Sequence, residues 1–164
     1  MRIVLEEIRS AFELARNEER RQQMSGYMRG QFDYYGLVSP IRRELSKPFL
    51  KELPKEPKAD LYLLIELLWQ QPQREFHYIA QELFFKIAKN TLEKEDLAFI
   101  ESLIIRNSWW DTIDFLAPKI LKIYFDETMC MPYFLFVGWS FPGYVQYFLR
   151  VMRCFTYLCM ISSV

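Results

Sequence analysis

Trp110 and Asp114, four residues apart, set an indole and a carboxylate one turn from each other on a helix, side chains that could do chemistry. A carboxylate stabilises positive charge as it develops and can orient a water molecule. The face of an indole attracts a cation by about 0.5–2 kcal/mol. Both residues lie in the run Ser108-Trp109-Trp110-Asp111-Thr112-Ile113-Asp114. Ser108 followed three residues later by Asp111 has the form of a capping box, which predicts a helix starting at Trp109 with Asp111 as a cap residue. On that helix Trp109, Ile113, Leu116, Ala117 and Ile120 form the apolar stripe that packs on neighbours. Trp110 and Asp114 make a second stripe beside it. An indole and an acid stacked there serve neither solvent nor core well, so the pair is either a site or a surface couple.

The elements that must position this pair are helical almost throughout. Apolar residues recur at spacings of three and four from Val4 to Tyr124, which predicts helices over about 3–16, 18–29, 40–51, 58–70, 73–89, 94–106 and 109–123. Breaks fall at Gly36 to Pro40, Pro54 to Pro57, Pro72, Asn90 and Asn107-Ser108. No stretch alternates with period two for long enough to make a sheet. Successive antiparallel helices joined by short turns describe either a HEAT-type helical-repeat solenoid or a compact bundle, and period alone leaves both open. Trp69 and the single histidine, His77, fall on packing positions and read as structural.

The chain has 164 residues, enough for one domain with a real core. Its formal net charge is zero, with 21 basic and 21 acidic residues, which argues against a strongly basic nucleic-acid module while allowing a local basic patch. Cys130, Cys154 and Cys159 have no metal-ligand spacing, so neither a disulfide framework nor a metal site is predicted. Glu6 and Glu7 break any signal-peptide apolar region, and the expected location is the cytoplasm.

After residue 124 the text changes. Met129 to Leu149 is a run of 21 residues without a charge, long enough for a membrane span but interrupted by Pro132, Gly138, Pro142 and Gly143. Charge periodicity stops abruptly, as a shifted reading frame or a truncated gene would produce; a buried C-terminal helical pair is the plainer alternative. The predicted organisation is therefore a helical domain over 1–124 and a divergent, aromatic-rich tail over 125–164.

Several motifs in order resemble the bacterial DNA alkylation repair enzymes of the AlkD type. They are Tyr27-Met28-Arg29-Gly30-Gln31-Phe32, Tyr35-Gly36-Leu37, Pro40-Ile41-Arg42-Arg43, Leu68-Trp69, Arg74-Glu75 with Tyr78 and Ala80, and the run from Trp109 to Asp114. The resemblance covers roughly residues 3–124 and finds no equivalent of the family's later repeats. It implies an all-α, HEAT-like helical-repeat solenoid, an α-α superhelix of antiparallel helix pairs holding duplex DNA. It also implies a DNA glycosylase that excises cationic N3-methyladenine and N7-methylguanine in base excision repair, without deep base flipping and with no cofactor or metal. On this resemblance Asp114 and Trp110 are the catalytic pair, Tyr27 faces the lesion, and Arg42 and Arg43 are candidates for phosphate contacts. The competing expectation is a helical-repeat DNA-binding or scaffold protein that kept the fold and lost catalysis. A weaker third is a helical domain tethered to a membrane by residues 129–149.

Overall fold

The computed structural model describes residues 1–120 apart from 52, 117 and 118. Among the described residues there are seven α-helices and no strand, so the all-α expectation holds. The helices are α1 (Arg2–Leu14), α2 (Glu18–Tyr27), α3 (Ser39–Leu50), α4 (Lys58–Trp69), α5 (Arg74–Thr91), α6 (Leu97–Arg106) and α7 (Trp110–Leu116), with short 3-10 turns at Leu53–Lys55 and Lys94–Asp96. The chain forms two compact units, Met1–Ile87 and the part from Ala88 onward, with α5 running through the boundary. The predicted boundary at residue 124, the tail over 125–164 and the end of the helix predicted over 109–123 lie outside the described residues.

In the first unit the buried residues keep helical spacing because each helix offers one apolar stripe to its neighbours. α1 buries Leu5, Ile8 and Phe12 and packs on α3 and α4. α4 buries Leu61, Leu64, Ile65, Leu68 and Trp69. Phe76, Ile79, Ala80, Leu83, Phe84 and Ile87 are the buried stripe of α5. The rings of Phe12, Tyr35 and Phe76 meet with centroids 5.6–5.8 Å apart and join α1, the loop after α2 and α5.

That loop is tied to the start of α5. Asp33 donates its N–H to the Pro72 carbonyl at 3.3 Å, and its own carbonyl accepts from the Arg74 N–H at 2.8 Å. Glu75 is fully buried, and its Oε1 accepts the backbone N–H groups of Tyr35, Gly36 and Leu37 at 3.0, 3.0 and 3.1 Å. Three donors converging on one carboxylate oxygen, in the first turn of a helix whose dipole also favours an anion, hold residues 35–37 of the loop in one conformation.

Arg74 is equally buried. Its guanidinium lies 4.0 Å from the Phe32 ring centroid and within 3.1 Å of His77 Nδ1. His77 Nε2 is 2.7 Å from the Gln71 carbonyl oxygen, which can only accept, so Nε2 carries the proton and Nδ1 accepts from Arg74. His77 is thus structural, and Trp69, 3% exposed, belongs to the core.

In the second unit the turn at Lys94–Asp96 opens with a capping box between Glu93 and Asp96. α6 buries Ile100, Leu103 and Ile104 and packs on α7. Among the described residues no helix is long and apolar enough to cross a membrane.

Candidate functional site

α7 starts one residue later than its capping sequence suggests. The Trp109 carbonyl accepts the N–H groups of Thr112 and Ile113 at 3.0 and 3.1 Å, which gives Trp109 rather than Ser108 the N-cap place. Thr112, Ile113, Leu116 and Ile120 are buried. Trp109, expected in the core, is only half-buried, because the N-cap position sits at the end of the stripe rather than within it.

With those residues turned inward, Trp110 and Asp114 share the outer side of the helix. Trp110 is 41% exposed and Asp114 is exposed. Residues four apart on a helix have Cβ atoms about 5–6 Å apart, so indole and carboxylate can address one bound group together. The indole supplies a polarisable face and the carboxylate a full negative charge. A group with positive charge, or one that gains it during reaction, is what such a pair favours over a neutral one.

The other predicted residues belong to the first unit. Tyr27, the last residue of α2, is 72% exposed. Arg42 and Arg43 stand side by side on α3 and differ in burial. Arg42 is 4% exposed, with Nη2 2.6 Å from Glu82 Oε1 and its guanidinium 4.8 Å from the Tyr78 ring centroid. Burial holds its pKa below the usual arginine value, and the adjacent Glu82 carboxylate opposes that shift. As placed, Arg42 packs α3 against α5 and would have to leave Glu82 to meet a phosphate. Arg43 is exposed and donates through Nε and Nη2 to the same Glu82 Oε1, at 2.9 and 2.8 Å. These bonds raise its pKa, and Nη1 takes no part in them.

The sequence profile of the DNA alkylation repair enzymes matches residues 8–131, which is most of the chain. The chain belongs to the DNA alkylation repair enzyme family. The match runs past Tyr124 to Met131, so the family text extends slightly beyond where the motifs in the sequence stop. A solved structure, a predicted DNA alkylation repair enzyme from Enterococcus faecalis, is similar, with a TM-score of 0.59 and 31% identity over 68% of this chain. The chain covers 52% of that protein, about half its length. No curated protein matches.

Within this family member, two functional-looking residues escaped the sequence reading. Glu82 gathers both α3 arginines from a position about 40 residues downstream, and no local pattern announces such a pairing. Glu75 was visible as part of Arg74-Glu75 and as an acid in the first turn of α5, but its role as the acceptor for residues 35–37 rests on a contact equally remote in sequence.

Proposed function

We propose that the chain acts on alkylated DNA as a glycosylase for positively charged purines, hydrolysing the N-glycosidic bond without cofactor. The observation that carries this reading is the outward stripe of Trp110 and Asp114 on a helix that buries Thr112, Ile113 and Leu116, in a chain of the DNA alkylation repair family. A purine alkylated at N3 or N7 is cationic before reaction, so it departs with the bonding electron pair as a neutral base and needs no general acid. The deoxyribose is left with oxocarbenium character, and water adds at C1′ while its proton passes to a base. Asp114 stabilises the developing charge and orients that water; Trp110 attracts the cationic base and sugar through its ring face. A neutral base gains little from either group, which supplies selectivity. Tyr27 and Arg43 would meet the DNA from the first unit. The cytoplasm, where bacterial DNA lies, is the place of action.

The deciding experiment follows N7-methylguanine release from methylated duplex DNA by the purified chain and by Asp114→Asn. Release by the wild type that falls by about 10²–10³ in the variant is expected, from the loss of one preorganised electrostatic group. The second reading is a helical-repeat DNA-binding or scaffold protein of the same fold without catalysis. It predicts no release from either protein, with duplex binding intact.

A further inference from the structure

Glu75 is fully buried in the first turn of α5, and the chemistry proposed above makes no use of it. A charge placed there is costly. Burial pushes its pKa above the ordinary carboxylate value, and Oε2 is enclosed without accepting from any other described residue. What the carboxylate gains is concentrated on Oε1, which accepts the N–H groups of Tyr35, Gly36 and Leu37. A buried carboxylate grips three backbone donors more firmly than a neutral acceptor would, and so fixes the path of residues 35–37.

That path decides where α2 sits. α2 buries none of its own side chains, and a ten-residue polar helix has little stability alone. Its start is fastened to the clamped loop instead. The Asn17 N–H donates to the Tyr35 carbonyl at 2.9 Å, and the Asn17 side chain caps the helix by accepting the Arg20 N–H at 2.9 Å. Gly36 lies so close that a Cβ there would overlap the Asn17 carbonyl oxygen and stand 2.7 Å from the Arg21 nitrogen. The chain leaving α2 returns to the same place, because Asp33 bonds to Pro72 and Arg74 just ahead of Glu75. Both ends of α2 thus depend on the first turn of α5. What is held in this way is a helix that adds no buried side chain to the core and carries Tyr27, 72% exposed, as its last residue.

We infer that Glu75 is a positioning residue for DNA binding: through residues 35–37 it sets the placement of α2, and with it that of Tyr27. This rests on the reading of the chain as a DNA-acting enzyme with Tyr27 on the DNA side, and it adds a residue that touches neither the DNA nor the reacting atoms. A helix held in place beforehand lowers the ordering cost of binding. The contribution of Glu75 therefore falls on affinity, whereas Asp114 governs the chemical step.

The test reads base release and amide hydrogen exchange for the wild type, Glu75→Gln, Gly36→Ala and Ile65→Val. Glutamine keeps the shape of the side chain but offers a neutral oxygen, Gly36→Ala strains the same clamp from its other side, and Ile65→Val only trims the core of α4. Exchange of the α2 amides should quicken by about tenfold in the Glu75 and Gly36 variants relative to the α4 amides. KM for methylated duplex should rise several-fold in both at unchanged kcat. Ile65→Val should lower the Tm and leave KM and the ratio of α2 to α4 exchange as in the wild type. Faster α2 exchange at unchanged KM would reduce Glu75 to a structural role and overturn the inference, as would unchanged α2 exchange in both variants. If the wild type releases no base, the glycosylase reading fails and the Kd for duplex takes the place of KM. A several-fold weaker Kd in both variants then upholds the positioning role, and an unchanged Kd overturns it.

Discussion

Asp114 and Trp110 are exposed members of a helix whose core side is formed by other residues, so their removal separates function from stability. Trp110→Ala should slow base release by about 2- to 30-fold, the rate equivalent of a cation–π attraction of roughly 0.5–2 kcal/mol, and should shift the unfolding midpoint little. A large loss of stability would mean the indole packs more than its exposure shows. This pair was legible in the sequence because its signal is local: four residues of spacing, flanked by an apolar stripe of different phase. The arginines were legible only by type. Sequence alone cannot say that Arg42 is buried on Glu82 while Arg43 stays exposed, because the partner comes from another helix. Glu75 is the third residue whose role depends on remote chain. Burial raises its pKa above the ordinary 4.5, against the pull of the Leu37, Tyr35 and Gly36 N–H groups. A carboxyl that holds its proton more tightly in the folded state contributes stability that is full below 4.5 and is lost as pH rises from there through the folded value. Glu75→Gln has no such proton to lose, so in urea unfolding the variant should gain on the wild type as pH rises above 4.5. A pH-independent difference between them would show that the carboxyl is not linked to folding.

Helices were the most readable elements, since burial at intervals of three and four is written directly into each segment. All seven predicted helices are present, and disagreements sit at their ends, where backbone geometry decides. α2 was expected over 18–29 and stops at Tyr27, because Met28 to Gly30 turn back into the left-handed closure. Gly30 marks that closure in the sequence, but an arginine at the preceding residue conceals its start. The glycines of this region have opposite duties. Gly36, φ +84°, abuts the backbone of Asn17 and Arg21, so Gly36→Ala combines left-handed strain with overlap that no side chain can relieve. It should destabilise by about 2–4 kcal/mol and loosen the attachment of α2. Gly26 lies inside α2, and a Cβ there meets nothing within 4 Å. Gly26→Ala should therefore stabilise by roughly 0.5–1 kcal/mol through helix propensity. Chemical denaturation of the two variants checks both signs. If Gly36→Ala proved neutral, the close approach that anchors α2 would not exist in solution.

At the scale of the whole molecule, zero net charge limits how firmly the chain can hold a polyanion. Several of its arginines are already engaged by carboxylates within the chain. Arg9 faces Glu6, Arg16 and Arg21 share Glu18, and Arg42 is buried on Glu82. Arg43, which is exposed, is the arginine proposed above for DNA, and a footprint of about three phosphates neutralised at about 0.9 each gives a log–log salt slope near −3 for duplex binding. Under the proposed function, a shallow salt dependence suits sampling of undamaged DNA, with discrimination resting on the charge of the damaged base rather than on grip. Equilibrium binding to an undamaged duplex across a salt series measures the slope directly. A value near −3 supports a short footprint of about three phosphates. A slope steeper than about −6 would mean a footprint of more than about six phosphates, in which Arg43 is a minor contributor.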